Sequence, residues 1–266
     1  VTGLAKRTVW NATGVDRPDA LTVEEPLEIR VGYGPLFQRK RAVHNVTMRT
    51  PGHDRELTIG LLRTDGVIAA KGEMIEFLAD RPNEVRVELH HGVSYDVSRH
   101  RRTGYSSSAC GLCGQHEIQR ITDRLEPIQS SLTISSPLVM QLPNIARKHQ
   151  SLFQATGGSH AAARFDPTGR FDSLFEDVGR HNALDKLIGH AMIEEQSLSD
   201  SVLFLSGRAG FEMVQKAAIV GVPMLVAVGA PTNLAIELAD HVGMTLIGFV
   251  REFDFNTYSH PQRVTR

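Results

Sequence analysis

The sequence predicts an α/β fold in two parts. The first is a smaller, strand-rich domain of α+β character over residues 1–125. The second is an α/β domain over residues 126–266 with a mixed, partly parallel sheet. Three observations predict this. Apolar residues alternate with period two in the first half, as in half-buried strands. In the second half, short continuous apolar runs alternate with helical patterns, the rhythm of a parallel sheet covered on both faces. Between these regions a "DPTG" turn joins two strands into a hairpin. Charge agrees with the division. Residues 1–133 hold 18 Lys/Arg and 17 Asp/Glu, against 11 and 13 in the remainder, so the first part has more surface per residue.

In chain order, "LEIRV" places Leu27, Ile29 and Val31 on one strand face. "HDRELTIGLLRTDG" is a helix with Leu57, Leu61 and Leu62 on a shared face, ended by Asp65-Gly66. "EVRVEL" repeats the strand pattern with Val85, Val87 and Leu89. A turn at His91-Gly92 leads into "VSYDVS", so a hairpin is expected there. From Ser98 to Gly114 no periodicity survives, and the composition is basic, then rich in Ser and Gly. This segment reads as a mobile loop. Ile118, Ile121 and Leu125 then begin a helical pattern, which puts the domain boundary near residue 125.

In the second half, "SHAAARF" and "RFDSLFEDV" flank the "DPTG" turn. The helix "RHNALDKLIGHAMIEE" carries Ala183, Leu184, Leu187, Ile188 and Ala191 at helical spacing. Strand "SVLFLS", helix "FEMVQKAAIVG", strand "VPMLVAV", helix "TNLAIELADHVG" and strand "MTLIGFV" follow. Ligands of open α/β sheets sit beyond the carboxyl ends of the strands. Four segments fall there: "EDVGRHN", "SGRAG", "GAPTN" and "GFVREFDFN". They supply Arg180, His181, Gly207, Arg208, Thr232 and Arg251. Three of them open helices, whose free N–H groups favour phosphate, and arginine adds a forked permanent charge. The alternative is that these are ordinary tight connections. Neither G-x-G-x-x-G nor the lysine-bearing phosphate loop is present.

Totals exclude several classes. The chain has 266 residues and a formal net charge of -1, so no global field draws it to nucleic acid or an anionic membrane. Its longest weakly polar run, residues 217–230, is too short to span a bilayer and is broken by Gly221 and Pro223. The N-terminus lacks the order of a secretory signal, and a cytoplasmic protein is expected.

The chain's two cysteines, Cys110 and Cys113, stand three apart in "SSSACGLCGQH". They could be incidental, though a glycine-rich loop is a poor place for a buried apolar thiol. A zinc site needs four ligands, and only His100 and His116 are near. A thioredoxin-like dithiol needs a strand-to-helix turn, which the loop lacks, although Arg99, His100, Arg101 and Arg102 could stabilise a thiolate. A sulfur relay needs only a nucleophilic, exposed thiol on a tether with reach. The dithiol and relay readings stay open on the residues alone.

Taken together, "EEPLEIRV", "MRTPGHDRELTIGLL", "SACGLCG", "TGGSHAA", "EDVGRHNALDKLIG", "SGRAGFEMVQKA", "APTNLAIELA" and "GMTLIGFVRE" resemble the FdhD/NarQ family, the formate dehydrogenase accessory sulfur carriers. The resemblance implies that sulfur is taken from a cysteine desulfurase as a protein persulfide. It is then passed to bis-molybdopterin guanine dinucleotide, the guanylated molybdenum cofactor, before this enters formate dehydrogenase. Cys110 would carry the persulfide with Cys113 as its companion. Phe249, Val250, Arg251, Glu252, Phe253 and Asp254 would correspond to the cofactor-binding stretch, joined at the sheet edge by Gly207, Arg208 and His181. A GDP-like nucleotide would fit the same place, and the family suggests a homodimer. The larger domain resembles the three-layer cytidine deaminase fold. It departs from true deaminases in lacking both H-x-E and P-C-x-x-C, so no metal is expected. His53 reads as a capping residue and His181 as a ligand residue. Alternatives are an insertion chaperone with non-essential cysteines and a dithiol oxidoreductase.

Overall fold

The computed structural model describes residues 3–10, 12–100 and 125–266. The first part is built on a four-stranded sheet of order β4-β3-β6-β5. Its strands are β3 (Glu25–Tyr33), β4 (Lys40–Arg49), β5 (Met74–Arg81) and β6 (Glu84–Leu89). A separate hairpin of β1 (Leu4–Trp10) and β2 (Asp16–Thr22) precedes it. Leu27, Ile29 and Val31 of β3 and Val85, Val87 and Leu89 of β6 are all buried. They meet Leu57, Leu61 and Leu62 of helix α1 (Asp54–Thr64). Gly66, at φ +72°, follows the end of that helix.

The expected hairpin after β6 does not form. The turn is present, with Val93 N donating to His90 O at 2.9 Å, but "VSYDVS" is not a strand. Tyr95 instead turns inward: its ring lies 4.9 Å from Tyr33, and its hydroxyl is 3.0 Å from His44 Nδ1. Asp96 accepts from Ser98 N at the start of a one-turn helix, α2 (Val97–His100). The antiparallel partner of β6 is β5, across a turn where Asn83 has φ +58°. Thus Ser98 belongs to a helical turn. So do the backbones of Arg99 and His100, whereas residues 101–114 of the predicted loop, with Cys110 and Cys113, and the start of the helical pattern at Ile118 and Ile121 lie outside the described residues. Leu125 is not helical; it packs against the second core with Ile128.

The second part centres on a six-stranded sheet of order β13-β12-β11-β10-β8-β9. In chain order the remaining strands are β7 (Ile134–Ser135), β8 (His160–Phe165), β9 (Phe171–Asp177), β10 (Val202–Leu205), β11 (Met224–Ala227), β12 (Thr245–Gly248), β13 (Asn256–Ser259) and β14 (Val264–Thr265). β10, β11 and β12 are parallel, and β8, β9 and β13 give the sheet its antiparallel flanks. The "DPTG" hairpin forms as expected: Asp166 Oδ1 accepts from Thr168 N and Arg170 N, and Gly169 adopts φ +77°.

Alternation along β10 shows the layering. Leu203 and Leu205 face α5 (Arg180–Ile193), α6 (Phe211–Ile219) and α7 (Asn233–His241). Val202 and Phe204 face α3 (Ser136–His149), which is followed by the short α4 (Ser151–Thr156). Helix α3 escaped the sequence reading because Pro143 interrupts its pattern; Pro137 sits in the first turn, where proline is compatible with a helix start. No helix among the described residues is long and apolar enough to cross a membrane.

The two parts meet where α1 crosses α5. A Cβ on Gly60 would penetrate the carbonyl of Asp185, and one on Gly189 would penetrate that of Glu56. The helix backbones therefore touch, which no side chain at either position would allow. This is why α5 is buried nearly all round, including Asn182, Asp185 and Lys186. Gly60→Ala or Gly189→Ala must push the helices apart, and each should destabilise the fold by at least about 1–3 kcal/mol. Urea denaturation checks this. A midpoint equal to the parent's would show that the crossing is not tight.

Candidate functional site

Strands β9, β10, β11 and β12 end at one edge of the large sheet, because β8 runs antiparallel to both β9 and β10. The four predicted segments therefore converge. Their loops are laced together through the backbone. Gly229 N donates to Gly207 O at 2.9 Å, Ala209 N to Ala230 O at 3.2 Å and Phe249 N to Gly229 O at 3.2 Å. Gly229 passes against the backbone of Arg208, where a Cβ would lie 2.9 Å from Arg208 Cα. The pairing of Ala209 with Pro231 extends the parallel ladder into the loops. The edge is thus a continuous backbone surface, not a set of independent turns.

Three helices open there. Gly179 caps α5 and Gly210 caps α6, neither with a side-chain acceptor, so amides of both first turns remain available to an anion. Thr232 caps α7, accepting from Ala235 N. Asp177 Oδ1 accepts from Gly179 N at 2.8 Å and from Asn182 Nδ2 at 3.0 Å, which fixes the entry to α5. Asp177 Oδ2 accepts from Thr50 N and lies 2.7 Å from Lys186 Nζ, with both side chains fully buried. The end of β4 is thereby tied to the start of the site.

His181 is brought to this edge, with Nε2 2.6 Å from Glu212 Oε2 in the first turn of α6. Beside it, His160 opens β8 under the Gly207 backbone, where a Cβ would be 3.3 Å from His160 Nδ1. Burial pushes the His160 pKa down from its ordinary 6.5. The Arg180 cation and His181 add to this, and Asp177 opposes it. Among the described residues, none accepts a hydrogen bond from the buried Nε of Arg180. Arg208 is exposed. Neither His160 nor Glu212 stood out in the sequence. The one signal for Glu212 was an acid in a helix's first turn, which is ordinary.

The stretch after β12 divides. Phe249, at φ +53° and 41% exposed, and Phe253, 85% exposed, present rings to solvent. Arg251 Nη1 donates to Val228 O and Val250 O, and its N–H donates to Asp254 O, closing a compact turn. Glu252 and Asp254 are exposed. Val250 does not join the site: its side chain is buried in the core and its N–H is used by Ala227 O. His53 occupies the N-cap position of α1 with φ +58°, edge-on to Phe175 at 5.0 Å.

Cys110, Cys113, His116, Arg101 and Arg102 lie outside the described residues, as do the side chains of Arg99 and His100. No cluster of three or more potential ligands among the described residues is placed to hold a metal. A cavity of about 540 Å³ lies away from this edge, in the first part, beside Arg63, Glu73, His90 and Ser94. The edge is open and carries both signs of charge, with Arg180, Arg208 and Arg251 beside Glu212, Glu252 and Asp254.

The chain matches the FdhD/NarQ family model over residues 22–265. It is 40% identical over 260 residues to a sulfur carrier protein FdhD of Thermoplasma acidophilum, covering 96% of this chain and 90% of the relative. It is also 40% identical over 266 residues to a sulfur carrier protein FdhD of Mycobacterium tuberculosis, covering 94% of each. Among solved structures, a candidate formate dehydrogenase accessory protein from Desulfotalea psychrophila superposes with TM-score 0.77. The match is 22% identical and covers 98% of each chain, a likeness of fold.

The depressed pKa of His160 makes stability depend on pH. Above its ordinary 6.5, both folded and unfolded chains hold it neutral. As pH falls below that, the unfolded chain takes up the proton first, and stability is lost until the folded-state value is passed. His160→Gln removes this contribution. Denaturation between about pH 7 and pH 5 should show a smaller acid loss in the variant than in the parent. Parallel pH curves would contradict a neutral, half-buried His160.

Proposed function

Because the chain belongs to the FdhD/NarQ family, we propose that it is a sulfur carrier for a guanylated molybdenum cofactor destined for formate dehydrogenase. The observation that supports this most directly is the convergent sheet edge. Open amides of α5 and α6 lie there with Arg180, Arg208 and Arg251. Such a donor set fits a polyphosphate ester: oriented N–H groups take phosphate oxygens, and guanidinium groups supply charge and bidentate geometry. Exposed Phe249 and Phe253 offer faces on which a base or pterin ring can stack. The cofactor is cargo here, held by Gly207, Arg208, His181 and the segment of Phe249, Arg251, Glu252, Phe253 and Asp254, with Val250 as structural support.

Sulfur enters through Cys110. Its thiolate attacks the outer sulfur of the desulfurase persulfide. A new bond forms between Cys110 Sγ and that sulfur, the bond to the donor cysteine breaks, and the donor leaves as a thiolate. The exchange is redox-neutral and needs no metal or fixed base. The Cys113 thiolate can attack Sγ of the Cys110 persulfide, forming a Cys110–Cys113 disulfide as the bond to the outer sulfur breaks and that sulfur leaves as hydrosulfide. The protein works as a soluble homodimer in the cytoplasm, between a cysteine desulfurase and formate dehydrogenase.

Two outcomes follow. Incubated with desulfurase and cysteine, the parent should gain the mass of a sulfur atom and Cys110→Ala should not; equal gain would remove Cys110 from the role. Arg208→Ala and Arg180→Ala should each weaken GDP binding about tenfold in calorimetry, with affinity falling as salt rises. Unchanged affinity in both would move the cargo away from this edge.

A further inference from the structure

We infer that the β3–β4 turn is the docking point for the protein that donates sulfur. This rests on the sulfur-carrier reading above. The turn presents an apolar tip in water: Phe37 is 100% exposed and Leu36 61% exposed. It is rigidly built. Gly34 adopts φ +92°, and Gln38 N donates to Pro35 O at 2.9 Å. Arg39 donates to Gly34 O and Gly32 O, each at 2.8 Å, and to Glu88 Oε2 at 2.7 Å. An aromatic ring held out on a stapled turn loses little conformational freedom on binding, which is the property of an interface anchor.

The surroundings select the partner's charge. Residues 29–53 contain Arg30, Arg39, Lys40, Arg41 and Arg49 and no Asp or Glu, although the whole chain has a net charge of -1. Lys40 and Arg41 are exposed beside the tip. The nearby carboxylate of Glu88 is shared among Arg39, Arg41 and Arg86 at 2.7, 3.3 and 3.6 Å. The complementary surface is an apolar pocket with an acidic rim. Opposite charges would steer repeated, transient encounters.

Position selects which partner. β6 runs parallel to β3 with Glu88 beside Gly32, so the chain leaves β6 at the tip end of the sheet. Tyr95 then packs on Tyr33, the residue before Gly34. α2 ends at His100, ten residues before Cys110. The other end of β4 reaches the cargo edge, where Thr50 N meets Asp177, about 30 Å away for a strand of this length. Tyr95 thus packs beside the tip five residues before α2 ends, and the cargo edge stands at the opposite end of β4. A donor seated on the tip would load the carrier without obstructing the cargo.

The test measures persulfide formation on the full-length parent, Phe37→Ser and Arg41→Glu. One donor is purified cysteine desulfurase with cysteine, and the other is glutathione persulfide. Each variant should need about tenfold more desulfurase for half-maximal rate, with the maximal rate and the glutathione persulfide rate unchanged. Added salt should slow loading of the parent more than loading of Arg41→Glu. Parent-like desulfurase dependence in both variants would overturn the docking site. Equal loss with both donors would do so as well, since the thiol itself would then be damaged. If the parent accepts sulfur from neither donor, the sulfur-carrier reading fails and the docking proposal falls with it.

Discussion

Contact between the backbones of α1 and α5 is the constraint on which the rest of the structure depends. Gly60 and Gly189 allow the two helices to cross with no side chain between them. The four-stranded sheet therefore reaches the six-stranded sheet through only two helical layers. That proximity brings Thr50, just past β4, against Asp177 at the end of β9. It also lets Lys186 reach Thr50 O and Asp177 together. On the other side of the crossing, Lys216 of α6 reaches both Asp185 of α5 and Thr64 of α1. A buried charge without such a partner would be strongly destabilising, so these pairs fix the relative placement of the helices. For Asp185, burial raises its pKa against the pull of Lys216.

Consequences run outward to the edge of the sheet. Asp177 serves the junction with one carboxylate oxygen and the entry to α5 with the other. The helix N-terminus that faces the site is thus held by the same residue that joins the two parts. The remaining loops are held mainly by backbone hydrogen bonds, from Gly207 through Gly229 to Phe249. This explains the density of glycine where loops press on one another.

Strands, helices and the convergence of four loops at one sheet edge were legible because they follow from periodicity. Leu27, Ile29 and Val31, or the short apolar run of β10, announce buried faces regardless of what covers them. Convergence of "SGRAG", "GAPTN" and "GFVREFDFN" follows from parallel strand order alone. Other features were hidden by conflicting local signals. Tyr95 lies in an alternating stretch, yet the hydrogen bond to His44 and the ring of Tyr33 turn it into the core. Pro143 masked α3. Val250 sits within the cofactor stretch but is claimed by the core.

By itself, the sequence determined the alternation of elements, the chemistry available at the sheet edge, and the pairing of Cys110 with Cys113 three positions apart. Only tertiary structure decided that His160 and Glu212 join that edge, that Gly60 and Gly189 are points of backbone contact, and that Lys186 is buried. The physical reason is range. Periodicity records which face of an element is covered, a property of neighbouring residues in the chain. The close crossings and the Thr50–Asp177 hydrogen bond join residues more than a hundred positions apart, and the ion pairs His181–Glu212 and Lys216–Asp185 join different helices; such partners are chosen only when packing brings the layers together.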